Sequence, residues 1–403
     1  MNSSSDTRKK LAPPNGWQSY RLGDLAKYWN GRAFKPEEWQ KKGRPIIRIE
    51  NLTSPTAPYN CFEGDVRPEN EVVDGDLLVS WSASLDAFWW NRGSAILNQH
   101  IFKVEENKHV ILRRFLYYIL RHAMSKIRAR VHGATMQHIT KPEFKRIEVA
   151  VPSLYEQERI VTILDEQLAT IEQAKLAEES RLESATALFG AFVRRAFDTD
   201  KVKTWPRKEL LALCTKSGQY GTSQKSNNKG HGLPILGMYH IHKGRIRWGN
   251  VSHVNLDKTD AEKYLLRRGD LLFNRTNSAE LVGKTAVYDL HKDAVFASYL
   301  VRFCLNEKEA DPYFVSTYIN SRYGRAFIER NMARAIGQVN ISASTMHKMP
   351  LPTPELETQQ RIARSIIEKQ VEIDEIHASL QSEAEAIAAL PAAMLRRAFA
   401  GEL

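Results

Sequence analysis

Cysteine is scarce in this 403-residue chain: Cys61, Cys214 and Cys304 are the only three, far apart and without paired spacing. That removes a disulfide framework and a cysteine-type zinc site, and points to a reducing compartment. No run approaches the roughly 18 unbroken apolar residues of a membrane helix, and residues 1–10 lack a signal peptide's apolar core. The expected location is the cytoplasm, with no membrane partner. Catalytic signatures are missing as well: there is no Asn/Asp-Pro-Pro-Tyr/Phe string for amino-methyl transfer, no glycine-rich cofactor loop and no Walker loop. Glu106-Asn107-Lys108 is a short match to a nuclease Glu-x-Lys, of a kind that arises by chance, and His240 and His242 share a strand face without a third ligand. The reading is therefore no catalytic residue, no metal and no cofactor in this chain.

What is present is a core-forming composition, 42 % hydrophobic and 9 % aromatic, and a net charge of +11 that is unevenly placed. Residues 1–150 carry +8, 151–200 carry −5, 201–350 carry +12 and 351–403 carry −4. Basic blocks alternating with acidic ones suggest that only some modules meet phosphate.

The alternation follows an internal repeat. Ile139-Thr140 matches Ile341-Ser342, Pro152 matches Pro354, Gln157 matches Gln359, Ile160 matches Ile362, and Arg194-Arg195-Ala196-Phe197 matches Arg396-Arg397-Ala398-Phe399, all at an offset of 202. Upstream the offset drifts to 194 at Gly75/Gly269, 189 at Pro45/Pro234 and 188 at Trp17/Trp205. Each copy thus has a variable front part and a back part of fixed length. In the front parts, short apolar runs at 45–49, 77–81 and 294–303 are bounded by Gly, Asn and Asp, which predicts strands and loops. Helices are expected at 113–130 and 312–334, giving mixed α/β globules.

The back parts read as long helices. Steps of four and three residues pick out Ile160, Leu164, Gln167, Ile171, Ala174, Glu178, Arg181, Ala185, Leu188 and Phe192 in the first copy. They pick out Ile362, Ile366, Lys369, Ile373, Ile376, Leu380, Glu383, Ile387, Leu390 and Met394 in the second. About 44 residues at ~1.5 Å each make a rod of roughly 65 Å, whose apolar seam is best covered by the other rod. Pro391 should kink or break the second rod.

Two unlike basic globules on two equal rods form a pseudo-twofold ruler suited to reading two separated DNA segments. The organisation resembles the specificity subunit of type I restriction-modification enzymes (the HsdS family) over essentially the whole chain. The matching elements are Trp17 to Leu22, Gly-Asp-Leu-Leu at Gly75 and Gly269, Pro152 to Ile160 and Pro354 to Ile362, and the ending Arg396 to Leu403. The resemblance implies an α+β tandem repeat: target recognition domains at 1–152 and 201–353, and spacer helices at 153–200 and 354–403 forming an antiparallel coiled coil. It implies double-stranded DNA as ligand, one half of a bipartite asymmetric site per domain, and two methyltransferase subunits docked on the helices. Those subunits would use S-adenosylmethionine on adenine, and two ATP- and Mg-dependent restriction subunits are a further partner in such systems. Two alternatives are open: a freestanding DNA-binding regulator, and the specificity chain of a methylation-only system.

Candidate DNA contacts follow from residue chemistry. In the second domain, the loop 218–226 offers Gln219, Tyr220, Thr222, Ser223 and Lys225 to phosphates or base edges. Arg275 can pair with guanine, Asn277 with adenine and Glu280 with cytosine, beside Ser278; the plainer reading is a turn held by Arg275 with Glu280. Arg334, Gln338 and Asn340 lie just before the second rod. In the first domain Arg32 sits on a turn, and Trp81 and Ser82 follow Gly75 as Arg275 and Thr276 follow Gly269; burial is the commoner fate of such a Trp. Arg128, Arg130, Gln137 and His138 approach the first rod, the arginines suiting phosphate.

Overall fold

The computed structural model describes residues 13–54, 56–82, 84–130, 140–242, 244–335 and 338–403. The chain forms two compact units, Met1–Glu179 with Ser382–Leu403, and Ser180–Gln381. The expected architecture is observed: mixed α/β domains and two long helices, Leu154–Phe197 and Leu356–Ala398.

In the first unit a four-stranded antiparallel sheet has the order Ala26–Asn30, Ile101–Glu106, Leu77–Ser80, Asp86–Trp89. Leu77–Ser80 is buried throughout, because alternate residues feed two cores. Leu77 and Val79 face the helix Arg113–Arg130, while Leu78 joins Ile47, Val72, Leu97 and Trp90 beneath a second four-stranded sheet. The second unit repeats this plan: Leu271 and Phe273 pack with Phe314 and Ile319 of the helix Pro312–Asn320, and Leu272 packs with Leu236 and Phe296. One parallel strand pair recurs, Ile46 beside Ile96 and Ile235 beside Val295.

The duplicated Gly-Asp-Leu-Leu has a local cause. Gly75 and Gly269 adopt φ of 89° and 91°, which only glycine takes without strain. The following Asp76 and Asp270 accept from Val73 N–H and Arg267 N–H, each at 2.9 Å, closing the turn before the buried strand.

The rods are shared between units. In the first unit Ile160, Val161 and Leu164, from the start of the first rod, pack with Leu395 and Ala398, from the end of the second. In the second unit Phe189, Phe192 and Val193 pack with Ile362, Ala363 and Ile366, an antiparallel pairing in both cases. The duplicated phenylalanines close it: Phe399 packs edge-on or tilted against Phe115 and His122, and Phe197 against Phe314 and Tyr318. Each copy's tail thereby completes the other copy's domain core.

The seam departs from a strict heptad. Ile160, Leu164, Ala185, Ile366, Ile373 and Leu380 are buried, and Ile171, Phe192, Ile362 and Ile387 half-buried, as expected. Leu188, Ile376 and Leu390 are exposed instead. Their places are taken by Phe189, by His377 and by Pro391, and likewise Leu168 and Leu182 lie inward of Gln167 and Arg181. A 3.6-residue turn lets a 3.5-residue stripe drift by only ~20° per heptad, so these displacements are local: Glu178, Ala185 and Leu380, further along, are buried on the stripe itself. Pro391 neither ends nor interrupts the second rod, which is helical to Ala398.

Candidate nucleic-acid interface

The interface is best seen by laying the copies over each other. A glycine lets the chain press against a neighbouring strand: a Cβ on Gly31 would meet Asn98 O at 2.2 Å, and one on Gly221 would meet Phe296 O at 2.2 Å. The next residues make matching bridges, Arg32 to Asn98 and Thr222 to Ala297. Beside this crossing, Trp81 N–H donates to His100 O (3.4 Å) and Arg275 N–H to Tyr299 O (3.0 Å). The residue before each glycine contacts the helix near the rod. Asn30 Oδ1 accepts from Lys141 Nζ (2.6 Å), and Tyr220 OH accepts from Ala343 N–H (3.1 Å). One scaffold therefore presents Asn30, Trp81, His100 and Lys141 in the first unit and Tyr220, Arg275, Tyr299 and Ala343 in the second.

The second unit's surface gathers several residues singled out from sequence. The Arg275 guanidinium lies 5.0 Å from the Tyr220 ring, and its Nε is buried without a partner among the described residues. Thr276–Asn277 pairs with Gln338–Asn340, which pairs with Ala333–Ala335, so Asn277, Arg334, Gln338 and Asn340 share one three-stranded sheet. Thr276 Oγ1 donates to Asn340 Oδ1, and Asn277 Nδ2 lies 3.3 Å from Met238 Sδ. Ser223, Lys225, Ser278, Glu280, Arg334 and Gln338 are exposed. No ion pair joins Arg275 to Glu280 among the described residues.

Other nominated side chains are engaged within their domains. Gln219 accepts from the buried Arg302, which also pairs with Asp270 at 3.2 Å, and donates to Lys263 O. Thr222 is buried and accepts from Gln224 N–H. Arg32 pairs with Glu38 over the rings of Phe34 and Phe62. Arg128 and Arg121 share Asp86 at 3.4 and 3.5 Å. Trp81 stacks on Phe102, with rings 5.8 Å apart, and Ser82 is half-buried beside it. Arg130 ends the helix Arg113–Arg130, and Gln137 and His138 lie outside the described residues.

Two exposed tyrosines escaped the sequence reading. Tyr239 is 87 % exposed next to Met238, and Tyr299 is 49 % exposed with its carbonyl on Arg275. Tyr299 was findable, because it stands one residue before the strand Leu300–Phe303 as His100 stands before Ile101–Glu106. The imidazoles serve structure: His240 Nδ1 accepts from Gly237 N–H (2.8 Å), and His347 Nε2 accepts from Gly218 N–H (2.9 Å). Burial holds His347 below the usual imidazole range. Burial, then Lys145, lowers the Lys141 ammonium as well. Among the described residues no three His, Cys, Asp or Glu side chains are placed to hold a metal, and no helix is long and apolar enough to cross a membrane.

The model of the type I restriction modification DNA specificity domain matches the chain twice, at residues 14–183 and 202–386. The chain belongs to that family. Its role is recognition of DNA sequence within a type I restriction-modification system. It is 22 % identical to the EcoBI specificity subunit of Escherichia coli, over 98 % of this chain and 87 % of that one. The EcoKI subunit of Escherichia coli strain K12 is 24 % identical over 97 % and 90 %, and the MjaVIII subunit of Methanocaldococcus jannaschii 24 % over 88 % and 86 %. In fold, it matches a chain solved in work on assembly and conformational transition of the type I R-M system with a TM-score of 0.76, at 16 % identity over 98 % and 100 % of the chains. The HsdS subunit of Thermoanaerobacter tengcongensis matches at 0.57, also 16 % identical, over 98 % and 99 %.

Proposed function

We propose that each unit of this specificity chain reads one half of a bipartite, asymmetric DNA site, and that the rods set the unspecified gap. The carrying observation is the duplicated crossing at Gly31 and Gly221, which offers Asn30, Trp81, His100 and Lys141 on one side and Tyr220, Arg275, Tyr299 and Ala343 on the other. Equal scaffolds with unlike side chains suit two different half-sites. The acidic rods, with exposed Leu176, Leu188, Ile376 and Leu390, suit the docking of two methyltransferase subunits. S-adenosylmethionine, adenine methylation, and the ATP and Mg of any restriction subunits then belong to the partners, and this chain contributes no catalytic group. Methylome sequencing of cells expressing the chain with its methyltransferase tests the reading: two short motifs at one fixed gap are expected, and a single continuous motif overturns it.

A further inference from the structure

Gln157 and Gln359 stand at the repeat's constant offset in the first turns of the rods, and both are buried, at 0 % and 1 % exposure. Each makes the same three hydrogen bonds. Gln157 Oε1 accepts from Leu112 N–H (2.8 Å), while its Nε2 donates to the carbonyls of Val110 (2.9 Å) and Pro152 (3.0 Å). Gln359 Oε1 accepts from Asp311 N–H (3.0 Å), while its Nε2 donates to the carbonyls of Glu309 (2.9 Å) and Pro354 (2.9 Å). One amide thus ties the start of a rod to the linker between the domain's last core strand and its helix. An apolar residue would fill the same space without desolvating an amide, so what the glutamine adds is direction, since three hydrogen bonds tolerate little rotation.

We propose that Gln157 and Gln359 are positioning residues that fix the tilt of each recognition surface on its rod, and with it the number of base pairs skipped between half-sites. The inference rests on the bipartite reading above. A domain of this size has a radius of gyration of about 15 Å, so a surface one domain radius from the joint lies ~20 Å away. A tilt of about 10° there moves the surface by ~3.4 Å, one base-pair step. A loosened joint therefore lets the gap wander by one base pair, while the bases read stay the same because the reading side chains are untouched.

The test is methylome sequencing of cells carrying the full chain and its methyltransferase, comparing the wild type with Gln157→Met, Gln359→Met, Gln157→Glu and Gln359→Glu. Methionine keeps the volume and removes all three bonds; glutamate keeps the acceptor. Unchanged half-sites are expected, with sites one base pair longer or shorter methylated about tenfold more than in the wild type. A single gap kept at lower occupancy, or methylation lost in all four variants, overturns the proposal and leaves the bipartite reading standing. A continuous motif in the wild type sinks the bipartite reading itself.

Discussion

Ile373 and Ile376 lie one turn apart on the second rod, and a strict heptad would bury both. Ile373 is 2 % exposed and Ile376 39 % exposed. Truncating Ile373 to alanine removes three buried carbons, about 2.4 kcal/mol at ~0.8 kcal/mol each, and with the cavity left behind the cost is ~2–5 kcal/mol. Ile376→Ala gives up much less burial and regains roughly 0.4 kcal/mol of helix propensity, for a net of about 1 kcal/mol or less. Both residues belong to the unit Ser180–Gln381, a size at which 1 kcal/mol moves Tm by ~2–4 °C. Thermal unfolding of the purified chain, followed by circular dichroism or calorimetry, should show a fall of ~4–20 °C for Ile373→Ala and at most ~4 °C for Ile376→Ala. Equal falls would refute the displaced seam and restore the heptad.

Arg275→Ala should relax one position of one half-site at a cost of ~1–3 kcal/mol, and Arg275→Lys should not restore it; methylome sequencing that shows uniform weakening over all sequences would instead mark a phosphate contact. Phe197→Ala, although in the first copy's tail, should destabilise the second unit by ~3–5 kcal/mol, seen as faster proteolysis within 201–353. Burial, then Lys126 and Arg396, pushes His122 down to about 4. A depressed folded value means this imidazole costs nothing above its ordinary value near 6.5, and stability is lost as pH falls from there toward 4. His122→Phe should flatten that acid limb of a Tm-against-pH curve.

The repeat and the rods were legible because both are written in spacing: a constant offset, and an apolar stripe. The helix Arg113–Arg130 was readable to the residue, whereas the expected 312–334 helix divides at Ser321, whose hydroxyl caps a new start by accepting from Tyr323 N–H. The heptad stripe passed over Phe189 and Leu182 because spacing alone does not tell which of two adjacent residues the tertiary packing turns inward. The candidate surface was half legible. Asn277, Arg334, Gln338 and Asn340 do meet on one sheet, but nothing local to Gln219 signals Arg302, 83 residues later, as its partner. Arg32 and Arg128 looked free because Glu38, Phe62 and Asp86 join them only through tertiary folding.

The exchange of tails bears on how the chain matures during synthesis. The second unit has all its residues once position 381 has been translated, whereas the first, though begun earlier, lacks Leu395 and Ala398 until position 398 has been reached. A nascent chain therefore carries an open apolar seat beside Phe115 until Leu395 and Ala398 have been made, and the unit begun first is the last to have all its residues.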